Sequence, residues 1–217
     1  MTYKLQAMVA LLLSSQLAFA GFGSFGKKEE SSGSGNAQKV QTELVNEYKT
    51  SLVKELEAKS LILEALGDKE ASAKLKTEAE AFASSGIQGV DALKNAINTS
   101  EGSDKAVEEQ MAKTEGLDKD SAKKFSEGIA SYGQAVYFSK DLLPKLSDFS
   151  TQASKEIKAA GFTGAKKAKD QLGVGLYMSS KLPSHYINLA TTGSKFVKWG
   201  ESKGVETPKE ASSSFDI

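Results

Sequence analysis

The sequence holds one histidine, His185, and acid–base chemistry would have to start there. A histidine general base needs a nucleophile within reach and a carboxylate to orient it. Ser184 is adjacent, but neighbouring residues on a helix point about 100° apart. Catalysis by His185 therefore requires an acid brought to it by the fold, and the usual role of a lone histidine on an aromatic stripe is packing. Two stretches around it resemble each other. "AVYFSKDLLPKL" (Ala135–Leu146) and "GLYMSSKLPSHY" (Gly175–Tyr186) each place a tyrosine and a serine ahead of Leu-Pro. Their serines and lysines differ in spacing, so they share no chemistry. They read as the middles of two long amphipathic helices, with Tyr137 and Tyr177 in or beside the core between them.

Other motifs fail on context. "GFGSFG" (Gly21–Gly26) has the G-x-G-x-x-G spacing, but a Ser/Gly-rich stretch follows it where a phosphate-binding helix should start. Gly128 and Gly133 have phosphate-loop spacing, but Gln134 stands where lysine is required. "DKDSAKKFSEGI" opens like a calcium loop at Asp118 and Asp120. It then puts Ala122, Lys123 and Ile129 at the third ligand, the turn glycine and the twelfth position, so it reads as a capped helix start. The carboxylate pairs Glu29/Glu30, Glu78/Glu80 and Glu108/Glu109 lie in polar surroundings that leave acids solvated.

Composition narrows the chemistry further. The chain of 217 residues has no cysteine, which removes disulfides, thiolate metal sites and cysteine nucleophiles. All 28 basic residues are lysine, so the bidentate arginine fork used on phosphate and guanine is missing. Charge is balanced overall, which gives no electrostatic case for nucleic acid. No metal or other cofactor is expected.

The elements that must position these residues are helices. Val40, Leu44, Tyr48, Leu52 and Leu56 form one stripe, with Glu and Lys assigned to the opposite face, and Gly67 ends that helix. Asp68 caps a second helix to about Ser84, with Leu75 and alanines as its apolar face. Val90 to Ile97 predicts a short third helix, "NTSEGSD" a loop, and Ser103 or Asp104 a cap for another short helix. A long stripe from Phe125 through Ile129, Tyr132, Val136 and Leu146 to Ile157 continues across Pro144. A second, from Val174 to Leu189, continues across Pro183. Both are expected to be proline-kinked. The fold class is all-α: a bundle of about five to seven helices behind a flexible N-terminal linker.

The boundaries follow. Residues 1–20, "MTYKLQAMVALLLSSQLAFA", combine Lys4, an apolar run and Ala18-Phe19-Ala20, the pattern of a secretory signal peptide. Residues 21–38 read as a Gly/Ser linker, 39–204 as one helical domain, and 205–217 as a polar tail. Within the domain, 39–115 is acidic and Leu/Ala-rich, and 117–204 is basic and aromatic-rich. From Gly21 to Gln110, 11 lysines stand against 16 acids; from Met111 onward, 16 stand against 12. An acidic hairpin packing on a basic one would account for this, as would head-to-tail self-association into a homo-oligomer.

The expected function is that of an exported, non-enzymatic helical protein in a bacterial periplasm or at the cell surface. It would act by surface interaction with a protein or envelope partner. The alternative is membrane-surface or apolar-ligand binding through the basic aromatic C-terminal part. Lys155 to Lys198 carries eight lysines against two acids, together with aromatics, the composition of a helix lying on an anionic bilayer. The residues expected to make that contact are Tyr137, Tyr177, Met178, Lys181, His185, Tyr186, Lys195, Lys198 and Trp199.

Overall fold

A computed structural model describes residues 36–215, the side chain of Glu210 excepted. The expected signal peptide and residues 21–35 of the expected linker lie outside them. The described residues form seven helices and no strand: α1 (Asn36–Ala65), α2 (Lys69–Ser85), α3 (Gly89–Lys113), α4 (Lys119–Ala159), α5 (Gly161–Gln171), α6 (Gly173–Ser202) and α7 (Lys209–Ser214). The all-α reading holds. Residues 36–38, assigned to the linker, are the first of α1, and Ala37 is fully buried.

α1 forms where its apolar residues recur at helical spacing, and Leu44, Tyr48, Leu52 and Leu56 are all buried. It stops at Gly67, whose φ of +90° suits glycine. Asp68 then caps α2 by accepting a hydrogen bond from Ala71 N at 3.0 Å. Asp118 caps α4 in the same way, accepting from Ser121 N at 2.7 Å. That bond holds the Asp118 carboxyl below the ordinary aspartate value. The "DKDS" stretch is thus a helix cap.

The centre of the structure is α1 packed along α4, with α6 against α4 and touching α1, and α3 against both α1 and α6. Close approach of α1 and α4 requires Gly128, where a Cβ would sit 2.6 Å from Ile62 Cγ1 and 3.1 Å from the Ala58 carbonyl oxygen. Ser51 Oγ donates to the Ala135 carbonyl at 2.8 Å and ties the same two helices. α4 and α6 run through Pro144 and Pro183 without a break. Both prolines are exposed, so the carbonyls that lose an intrahelical donor face water and the buried stripes continue beneath.

Three expectations need correction. Tyr137 is 55% exposed and lies outside the α4–α6 core. Val136 holds the inward position, and one residue further along a helix turns the side chain about 100° away. "NTSEGSD" is not a loop: α3 passes straight through it, and the short helices on either side are one helix. The tail from residue 205 is not a free polar end. Val205, Ala211 and Phe215 are buried, and α7 packs chiefly on α4. Its seat is a hollow made by glycines, since a Cβ at Gly133 would fall 2.9 Å from Ala211 Cα and one at Gly193 would overlap the Phe215 ring. Phe215 also meets Tyr132, with ring centroids 6.0 Å apart.

The charge asymmetry of the two halves is met across helix pairs. Lys124–Glu64 (2.6 Å), Lys145–Glu47 (2.7 Å) and Lys195–Glu108 (2.7 Å) each join a C-terminal lysine to an N-terminal acid. These pairs are solvent-exposed and worth about 0–1 kcal/mol each, so they orient the halves more than they stabilise them.

Gly133→Val should displace α7 and cost about 1–3 kcal/mol in urea unfolding. In a chain truncated before Lys209 the same substitution should cost less than half as much. Equal costs in both backgrounds would show that the α7 seat is not what Gly133 serves.

Candidate functional site

The most heavily functionalised place in the fold is its interior. Lys59 is completely buried, one helical turn after the equally buried Glu55. Both lie on the inward side of α1, because Ser51, Glu55 and Lys59 follow each other at four-residue spacing. Lys59 Nζ pairs with Glu55 Oε1 and, at 2.5 Å, with Asp104 Oδ1 of α3. It also donates to the Ser100 carbonyl at 2.9 Å. Ser100 Oγ donates to Glu55 Oε1, and Ser103 Oγ donates to the Ser100 carbonyl at 2.6 Å. Ser100, Ser103 and Asp104 of the supposed loop thus turn inward to the Lys59 cluster, contacts that the helical form of that stretch provides.

His185 from α6 meets this cluster. Its Nε2 lies 3.9 Å from Glu55 Oε2, beyond hydrogen-bond distance, and its ring stands edge-on to Tyr48 with centroids 6.1 Å apart. Tyr132 of α4 closes another side, with Lys59 Nζ 5.6 Å from its ring centroid. Neither imidazole nitrogen and neither of the Tyr48 and Tyr132 hydroxyls has a hydrogen-bond partner among the described residues.

Electrostatics fixes the protonation. Burial pulls Lys59 down, but Glu55 and Asp104 together more than reverse it, so its pKa stands above the ordinary lysine value. Burial pushes Asp104 up to about 6 against the downward pull of Lys59, and Glu55 adds to the push. Burial lowers His185 below its ordinary value against the opposing pull of Glu55, so it is neutral at pH 7. Burial raises both tyrosines further above their ordinary value. The fold does bring a carboxylate to His185, but Lys59 and Ser100 already engage it.

The nine contact residues expected from sequence do not converge. Met178, His185 and Tyr186 are buried. Tyr137, Lys181, Lys195 and Lys198 are exposed. Tyr177 and Trp199 are half-buried; Trp199 packs on Phe125 at 5.1 Å between centroids, and Lys94 Nζ lies 5.9 Å from the Tyr177 centroid.

None of the nine lines an open cleft of about 540 Å³ between α2 and α3. Its base is apolar, with Leu63, Ala71 and Leu75, and its walls carry Asn95, Asn98, Thr99, Lys74 and Glu78. It exists because α2 packs on α1 through small residues, while α3 faces α2 with Gly102 and short polar side chains. Ser60 Oγ lies 3.0 Å from Ser72 Oγ at the α1–α2 contact, and α2 barely touches α3. Ser103 lines the cleft and also belongs to the buried cluster. Sequence reasoning missed both places, although Glu55 and Lys59 could have been found as charges on an apolar stripe.

Among the described residues no group of three or more His, Asp or Glu side chains is placed to hold a metal ion. Among the described residues no helix is long and apolar enough to cross a membrane. Compared with family models, curated proteins and solved structures, the chain matches none.

Lys59→Met should cost about 3–5 kcal/mol in urea unfolding at pH 7, because it leaves two buried carboxylates without their cation. The pH dependence has opposing parts. Asp104 has a raised folded pKa, so its stabilising contribution is complete below about pH 4 and is lost as pH rises through about 6. His185 has a lowered folded pKa, so its contribution is present above about pH 6.5 and is lost as pH falls. Relative to wild type, Asp104→Asn should therefore gain stability from pH 4 to 6. His185→Gln should gain on going from pH 7 to 5. Parallel stability–pH curves for wild type and both variants would refute this assignment.

Proposed function

We propose that the chain is a non-enzymatic binding protein of the bacterial periplasm or cell surface, and that the α2–α3 cleft receives a polypeptide segment of a protein partner. The observation that carries this reading is the cleft itself, an open volume of about 540 Å³ with a leucine base and amide-bearing walls. That volume falls in the range of about 300–1,000 Å³ common to ligand sites. Leu63 and Leu75 would take an apolar side chain. Asn95 and Asn98 each offer a donor and an acceptor, which is what pairing with peptide N–H and C=O groups needs. Lys74 and Glu78 add one charge of each sign at the edge.

The interior cluster plays a structural part in this reading. Glu55, Lys59 and His185 are each at most 3% exposed, and the cations and carboxylates there engage one another. Export rests on the N-terminal sequence pattern of residues 1–20.

Gly102 provides a clean test, because a Cβ there would meet nothing within 4 Å. Gly102→Phe should fill the cleft without touching the core, and it should raise helix propensity by a few tenths of a kcal/mol. With a photo-cross-linking residue at Asn98, the full chain in its native host should form a discrete protein adduct. Gly102→Phe should abolish it while the melting temperature stays at or above that of wild type, and Lys140→Glu on exposed α4 should leave it intact. An adduct of wild-type intensity in Gly102→Phe would sink the reading.

A further inference from the structure

The turn from α4 into α5 is built unlike the rest of the fold. α5 is an 11-residue helix with no buried residue. A helix that short is marginal in water without packing. Gly161, at φ +66°, sets the corner, and Phe162 follows it fully exposed. One exposed phenylalanine is ordinary on a protein surface. Its setting is not: Lys155, Lys158, Lys166, Lys167 and Lys169 are all exposed within seven residues of it on either side. Among the described residues none of these five forms an ion pair. Of the two acids nearby, Glu156 is occupied, accepting a hydrogen bond from Ala37 N at 3.0 Å, and Asp170 is exposed. Phe162, Lys166 and Lys169 follow the i, i+4, i+7 pattern and so share one side of α5.

We infer that this corner docks the protein on an anionic lipid bilayer, with Phe162 entering the interface and the lysines meeting acidic headgroups. Charge complementarity selects the partner. Five exposed cations lie within seven residues of a single exposed apolar ring, and no concave pocket is needed for a fluid surface to accept it. An amphipathic segment gains helical stability by lying on such a surface, which supplies α5 with the packing that the core does not. The corner lies near the end of the bundle where α1 begins, since Ala37 N, at the start of α1, donates to Glu156 near the end of α4 at 3.0 Å. This surface is independent of the α2–α3 cleft.

Flotation of the purified full chain with vesicles tests this directly. The chain should rise with vesicles of phosphatidylglycerol and phosphatidylcholine at low salt, stay down with phosphatidylcholine alone, and dissociate as salt is raised. Phe162→Ala should weaken binding about tenfold or more. The triple variant Lys166→Glu, Lys167→Glu, Lys169→Glu should abolish it. All these side chains are exposed, so circular dichroism should match wild type. Phe162→Trp should retain binding and add a blue-shifted emission component on the vesicles. Gly102→Phe should bind vesicles as wild type does, whatever becomes of its protein adduct. No flotation with anionic vesicles at low salt would overturn the inference. So would flotation that is unchanged in both the Phe162→Ala and the triple-lysine variants, because the lipid contact would then lie elsewhere.

Discussion

A lysine ammonium held entirely out of water is the constraint around which this bundle is arranged. Lys59 cannot keep its charge there without anions and acceptors at close range. One anion, Glu55, comes from a turn earlier on the same helix and also accepts a hydrogen bond from Ser100 Oγ of α3. The other, Asp104, and the Ser100 carbonyl come from α3, so α3 must lie against α1 at one register and remain helical as it does so. α4 and α6 then bring Tyr132 and His185 to the same point. Four helices are thereby indexed on one side chain. A hydrophobic residue of similar volume could fill the space, but it would have no directional partner on α3, whereas Lys59 has Asp104 and the Ser100 carbonyl there.

That arrangement has a consequence at the surface. α3 is drawn toward α1 and α6, while α2 follows α1 through the small contacts of Ser72, Leu75 and Ala79. Neither α2 nor the facing side of α3 carries side chains long and apolar enough to close the distance between them. The cleft is therefore a product of where the interior charges place α3, and Ser103 touches both. The glycine hollow under α7 has a similar origin. Gly133 and Gly193 lower the surface at the point where Ala211 and Phe215 settle.

Much of the architecture was legible from periodicity. The stripes of α1, α4 and α6, the Asp68 and Asp118 caps and the stop at Gly67 depend on local chemistry, and local chemistry is written in adjacent residues. What escaped depends on contacts between residues far apart in sequence. Glu55 and Lys59 lie beside Leu52 and Leu56, where a charge at the edge of a stripe usually reaches back to water. Only the approach of Asp104, forty-five residues after Lys59, turns them inward. "NTSEGSD" has every local mark of a loop, and its polar groups would favour one if they faced solvent. Ser100, Ser103 and Asp104 instead belong to the cluster around a buried cation, and tertiary context overrides propensity. The tail was misread because a six-residue helix shows no period and its seat belongs to α4 and α6.

The charge asymmetry of the sequence resolves into two populations of lysine. Lys124, Lys145 and Lys195 are matched by acids of the N-terminal half across helix pairs, so that part of the imbalance is internal. Lys155, Lys158, Lys166, Lys167 and Lys169 have no ion-pair partner among the described residues, and they fall within fifteen consecutive positions about one corner. A basic surplus kept only for solubility gains nothing from such crowding, because like charges in close sequence repel and would be better spread. Crowding is tolerable where an external anionic surface offsets the repulsion. The same reasoning accounts for Phe162, whose exposure no contact among the described residues relieves. The local excess of charge and the exposed ring are two costs at one place, and a single negatively charged, apolar-cored partner would offset both.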